Sequence, residues 1–211
     1  TAAAGMACEG IRPFVTIYST FLQRAYDSIM HDVTLQNLPV IFAMDGSGLV
    51  GFDGPTHHGM LDIAYMRIIP NMVAMAPKDE AELRDMMLTA VNYTAGPIAF
   101  RYPRAGLTGA DLSVEPKVLP IGKGEVIRQG SGSVAILSYG HVFTNVMKAV
   151  EILTEEGLDV AVINARFVKP MDTELIKEIA IRYPVLVSVE DGTEVGGFGS
   201  AVNEVLVAAL I

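Results

Sequence analysis

The chain has 211 residues, with 24 Asp and Glu against 15 Lys and Arg, a formal net charge of −9, 51% hydrophobic residues and 18% charged ones. That composition suits a packed core and excludes a disordered chain, and neither half carries the basic excess needed for general binding to a nucleic-acid backbone. The single Cys8 excludes an internal disulfide and any Cys-based zinc site, and no apolar run reaches the roughly 18 residues that span a bilayer.

The first residues, TAAAGMACEG, are small and apolar and lack the basic start of a signal peptide. They read as a helix entered part-way, so the chain is expected to be a piece of something longer. FVTIY (14–18) is the first β-rich run. A stripe of Leu22, Tyr26, Ile29 and Val33 then steps by helical spacing. PVIFAMD (39–45) is the second run, followed by the loop DGSGLVGFDGPTHHG (45–59) and the helical pattern LDIAYMRII. MVAMAP (72–77) precedes a helix over 78–92, whose Asp79, Glu80 and Glu82 suit the positive end of a helix dipole. PIAFRY (97–102) is the fourth run.

The stretch 103–131 is rich in Pro and Gly and has no helical period. It reads as a connection with some extended structure of its own. SVAILSYG (133–140), a stripe from Val142 to Leu153 that stops at Gly157, and DVAVINA (159–165) follow. Asp172 is a natural N-cap for a helix over 173–183, and PVLVSVED (184–191) is the last run. Strand–helix alternation with continuously apolar strands predicts an α/β fold class: two parallel or mostly parallel sheets flanked by helices. The expected division is 1–110, a linker at 111–124, and 125–211.

In parallel sheets, ligands sit beyond the carboxyl ends of strands. Three loops fall there. The loop 45–59 holds Asp45, Asp53, His57 and His58 among five glycines. A His beside a carboxylate can serve as acid or base. Adjacent His57 and His58 rarely bind one ion, which argues against a metal site. The first loop offers Tyr18, Phe21 and Arg24, a ring and a guanidinium suited to stack on and charge-pair a planar or anionic ligand; the other reading is core packing for Phe21, which periodicity alone favours, and a solvated Arg24. RYPRAG (101–106) offers Arg101 and Arg104, suited to phosphate, carboxylate or exposed ion pairs. VEDGTEVGGFGSAVNE (189–204) misses the GxGxxG spacing and reads as helix-entry packing rather than a nucleotide site.

IYSTFLQRAYDSIMHDV, DGPTHHGMLDIAYMR, IPNMVAMAP, FRYPR, LPIGKGEV, ARFVKPMD and GGFGSAVNE resemble the C-terminal portion of the 1-deoxy-D-xylulose-5-phosphate synthase family, from Thr1 to Ile211. The resemblance implies most of a thiamine-diphosphate pyrimidine-binding domain followed by most of a transketolase C-terminal domain. It implies condensation of pyruvate with glyceraldehyde 3-phosphate, release of carbon dioxide, and a homodimer in the bacterial cytoplasm or a plastid. It implies that Phe21 stacks on the cofactor's pyrimidine with Arg24 beside it. It also implies that Tyr18 and Arg104 bind substrate, and that Asp53 and His57 face the reacting carbons.

The family's diphosphate- and Mg2+-binding domain has no counterpart in this sequence, nor does the AEQHA motif with its cofactor-activating Glu. The chain alone is therefore expected to be inactive. Two positions depart from the family: Gly46, where Arg is usual, and His58, where Gln or Cys is frequent. A split transketolase-type subunit and a non-catalytic module of the same fold are the alternatives.

Overall fold

A computed structural model describes residues 1–210. The elements run α1 (Ala2–Cys8), β1 (Phe14–Tyr18), α2 (Ser19–Leu22), α3 (Tyr26–Ser28), β2 (Ile41–Asp45), α4 (Asp62–Ile68), β3 (Val73–Met75), α5 (Glu80–Asn92) and β4 (Ile98–Arg101). They continue with β5 (Glu125–Arg128), β6 (Val134–Tyr139), α6 (Phe143–Glu155), β7 (Ala161–Asn164), β8 (Phe167–Lys169), α7 (Thr173–Arg182), β9 (Val185–Glu190) and α8 (Phe198–Ala209).

Two sheets form, both mostly parallel, as the apolar runs require. The first has the order β1-β2-β4-β3-β8, with β1 to β4 parallel and β8 antiparallel at its edge. The second has the order β5-β7-β6-β9, with β6, β7 and β9 parallel and β5 antiparallel. All seven expected strands are present. The two additional ones, β5 and β8, are the antiparallel ones. β8 has three residues and follows β7 after a turn at Arg166, whose φ is +58°. Through β8, chain from the second half of the sequence completes the first sheet.

The stripe from Leu22 to Val33 does mark a core-facing side, with Leu22, Ile29 and Val33 buried. It is not one regular helix. A tight 3-10 turn (Gln23–Ala25) and a wider π-type turn (Ile29–Thr34) interrupt it. Two caps form as expected: Asp172 accepts from Leu175 N, and Gly157 takes φ +85° just past α6; Asp79, read only as part of an acidic helix start, also caps α5 by accepting from Glu82 N.

The acidic start of α5 does more than complement a dipole. Glu80 accepts from Thr108 and from the amides of Gly109 and Ala110, tying down the connection between the sheets. Glu82 is buried, and Arg166 Nε and Asn164 Nδ2 both donate to its carboxylate, at 2.7 and 2.8 Å. One apolar cluster runs through both sheets, from Phe42, Met66 and Ala74 to Leu137, Ile163 and Phe198.

Candidate active site

The carboxyl ends of β1, β2 and β4 lie side by side because these strands are parallel, with Tyr18 opposite Asp45 and Met44 opposite Arg101. The three candidate loops therefore leave the same sheet edge. Tyr18 at the end of β1 donates its hydroxyl to Asp53 Oδ2 at 2.7 Å. Arg104 forms an ion pair with Asp53 Oδ1. Tyr18, Asp53 and Arg104 thus form one continuous chain across three loops.

The hydrogen bond from Arg104, with that from Tyr18, holds Asp53 below the usual carboxylate range. Burial and the neighbouring Asp53 push the Tyr18 phenol up. Near neutral pH, Asp53 is an acceptor and Tyr18 keeps its proton.

The aromatic rings gather above this chain. Phe21 lies 5.3 Å from the Tyr18 ring and 5.4 Å from His57, and His57 meets Tyr18 edge-on at 5.6 Å. Phe21 is 43% exposed, so the periodicity reading that buried it does not hold. It falls one residue off the buried stripe that begins at Leu22. His57 Nδ1 lies 3.0 Å from Thr56 Oγ1. Arg24 stands exposed in the 3-10 turn that follows α2, with no ion pair among the described residues.

Arg101 and Arg104 prove to be different groups. Arg101 is 3% exposed; its Nε donates to Asp62 Oδ2 at 3.0 Å, and its Nη2 to the carbonyls of Gly59 and Asp191. Ser19 Oγ donates to the same Asp62 oxygen. Arg101 is therefore an internal strut, and only Arg104 is free to meet an anion. Sequence reasoning missed Asp62. The available signal was a carboxylate in line with Ile63 and Met66 at the start of a mostly apolar helix.

His58 also has a structural partner: its Nδ1 accepts from Val50 N at 3.2 Å, closing the loop on itself. Gly46 has φ +63°, and a Cβ there would lie 2.3 Å from Tyr18 Cζ. The ring that reaches Asp53 occupies the space a side chain at 46 would need. Among the described residues no group of three His, Cys, Asp or Glu side chains is placed to hold a metal ion.

Residues 1–109 match the family model for the transketolase pyrimidine-binding domain, and residues 122–211 match that for the transketolase C-terminal domain. The chain belongs to the transketolase family.

Within that family it is 58% identical over 207 residues to a 1-deoxy-D-xylulose-5-phosphate synthase of Gloeothece citriformis, covering 98% of this chain and 32% of the relative. It is 57% identical over 210 residues to the same-named protein of Trichormus variabilis, covering 99% of this chain and 33% of the relative. The chain spans about a third of the length of the curated relatives it matches.

Among solved structures it is similar to a split-gene transketolase described as an inactive beta4 tetramer. The TM-score is 0.87 at 31% identity, over 98% of this chain and 66% of that one. A transketolase mutant from Pichia stipitis shares the fold, with TM-score 0.72 at 20% identity over 87% of this chain and 27% of that one. Among the described residues no helix is long and apolar enough to cross a membrane.

Proposed function

We propose that the complete protein is a thiamine-diphosphate-dependent transferase that condenses pyruvate with glyceraldehyde 3-phosphate to 1-deoxy-D-xylulose 5-phosphate, releasing carbon dioxide. This chain supplies the pyrimidine-facing and acceptor-facing half of its site. The division into 1–110, linker 111–124 and 125–211 belongs to the same proposal, as does a homodimer in a bacterial cytoplasm or a plastid. The observation that carries it is the Tyr18–Asp53–Arg104 chain beside an exposed Phe21 and His57, in a chain 57–59% identical to named synthases.

The residues present fit the pyrimidine half of the cofactor. Phe21 offers an exposed ring for a planar heterocycle, with Arg24 one turn along. When bound, the cofactor supplies the nucleophilic carbon that attacks pyruvate. Its diphosphate and Mg2+ would be held by a domain outside this chain.

Arg104 is 61% exposed at its side chain and keeps N–H groups beyond the one that meets Asp53, so it can take the acceptor's phosphate. Asp53, held ionised, accepts the hydrogen bond from the Tyr18 hydroxyl and can accept one from a hydroxyl of the acceptor. His57, edge-on to both rings, is the group placed to carry a proton to or from the acceptor's carbonyl oxygen. Tyr18 orients Asp53 and borders the donor.

The test mixes purified chain with the diphosphate-binding part of a cyanobacterial relative. Carbon dioxide release from carboxyl-labelled pyruvate and formation of deoxyxylulose phosphate are then measured. Product is expected only with both parts. No product from the mixture, or product from the chain alone, contradicts the proposal.

One observation favours a second reading. The split-gene transketolase that this chain resembles over 98% of its length suggests a natural subunit working with a separate partner. The intact mass of the protein in its source cells separates the readings. A species of 211 residues supports the subunit, and one of the relatives' full length supports the single-chain synthase.

A further inference from the structure

We propose that Asp191, at the end of β9, is a positioning residue for the loop that carries Asp53 and His57, so that the second sheet governs a site built on the first. The proposal rests on reading residues 46–59 as the site.

The loop is rooted at two neighbouring points, and its outer part meets the rest of the molecule through the Tyr18 and Arg104 contacts of Asp53 and the rings around His57. Gly48 and Gly59 exchange main-chain hydrogen bonds at 2.9 and 2.8 Å and close its base. Beyond that base, Leu49 and Phe52 turn their side chains to solvent, at 62% and 110% exposure. Val50 is the one buried apolar side chain of the lobe, so its placement depends strongly on its root.

Asp191 grips that root. Leu49 N donates toward both of its carboxylate oxygens, at 3.1 and 3.3 Å, four residues before Asp53. A carboxylate acceptor makes this shared contact stronger than a neutral acceptor would at the same distances. The approach requires glycine next door: Gly48 has φ +77°, and a Cβ there would lie 1.8 Å from Asp191 Oδ2.

Asp191 itself is held from both sides. Its main-chain oxygen accepts from Arg101 Nη2 at 2.9 Å, which ties it to β4. Its neighbour Glu190 accepts from Phe198 N and Gly199 N, at 2.8 and 2.9 Å, capping α8. His141, just past β6, brings Nε2 to 3.3 Å from Asp191 Oδ2 and fixes the carboxylate's rotation. The loop is thus referenced to β4, β9 and α8, which are rigid elements rather than other loops.

The test is hydrogen exchange on the full 211-residue chain, comparing the native protein with Asp191→Ala and Asp191→Asn. In Asp191→Ala, amides of 49–58 are expected to exchange about tenfold faster, the loss of a charge-assisted hydrogen bond, with α5 and β6 unchanged. Asp191→Asn keeps an oxygen for Leu49 N and is expected to restore most of the protection.

Unchanged exchange over 49–58 in Asp191→Ala would overturn the proposal. So would equal acceleration throughout β6 and β9, or no restoration by Asn. Exchange is read without turnover. A chain that shows this pattern but forms no deoxyxylulose phosphate with its partner would refute the functional reading and leave the positioning intact.

Discussion

Arg101 and Arg104 are separated by two residues, and each pairs with a carboxylate, yet the two pairs belong to different physical regimes. Arg101 and Asp62 leave 3% and 0% of their side chains exposed; Arg104 and Asp53 leave 61% and 21%. A buried pair cannot exchange partners, because removing one member strands a charge in a low-dielectric interior. An exposed pair is screened, contributes little to stability, and can trade its partner for a ligand. Arg166 with Glu82 repeats the buried case, where second-half chain meets α5. The molecule thus uses these buried ion pairs as fixed internal struts and has an exposed pair at the candidate site.

Breaking the buried pair should have the largest effect. Arg101→Ala is expected to cost about 3–5 kcal/mol of stability in urea unfolding, by leaving Asp62 uncompensated. A loss below about 1 kcal/mol, the range for exposed pairs, would erase the distinction.

Gly46→Arg comes next. The left-handed backbone adds about 1–3 kcal/mol of strain, and the new side chain must displace the Tyr18 ring from Asp53. The Tyr18 phenol, no longer donating to Asp53, should then titrate at lower pH in an ultraviolet titration than in the native protein. An unchanged Tyr18 titration would show that the ring had not moved.

The Glu80 carboxylate offers a smaller, pH-dependent probe. Hydrogen bonds from Thr108, with help from nearby amides, lower its pKa from 4.5 to about 2. A depressed carboxylate contributes stability above its unfolded pKa and loses it as pH falls through the folded value. The stability gap between native protein and Glu80→Gln should be full at pH 7 and shrink as pH falls from 4.5 toward 2. A gap constant over that window would contradict the assignment. Smallest is Arg104→Ala, expected to leave the midpoint of urea unfolding unchanged; a midpoint lowered as far as in Arg101→Ala would contradict it.

The fold was largely legible in sequence because β2, β3, β4, β6 and β7 are buried on both faces and so announce themselves as apolar runs, whereas β1 and β9, at sheet edges, are half-exposed despite equally apolar sequences. Asp172 and Gly157 marked helix ends for local reasons that need no partner. β8 escaped notice because three residues carry no period, and its strand character comes from pairing with β3. The broken helix from Ser19 to Thr34 shows the same limit: spacing tells which side faces the core, not which turn closes each hydrogen bond.

At the candidate site, loop convergence followed from parallel strands alone. The split between Arg101 and Arg104 did not, since it depends on Asp62 and Asp191, which lie 39 and 90 positions from Arg101 in sequence. Gly48 read only as a generic turn residue and Gly46 only as a departure from the family's usual Arg, because the Tyr18 ring and the Asp191 carboxylate that require them arrive from β1 and β9.

The central claim is that Arg104 is held on the open edge, paired with Asp53, in order to receive the acceptor's phosphate. The direct measurement is the KM of the assembled enzyme for glyceraldehyde 3-phosphate and for unphosphorylated glyceraldehyde, before and after Arg104→Ala. The account predicts a rise of about tenfold or more for the phosphorylated acceptor and none for glyceraldehyde. An unchanged KM for the phosphorylated acceptor, or an equal rise for both, would contradict it.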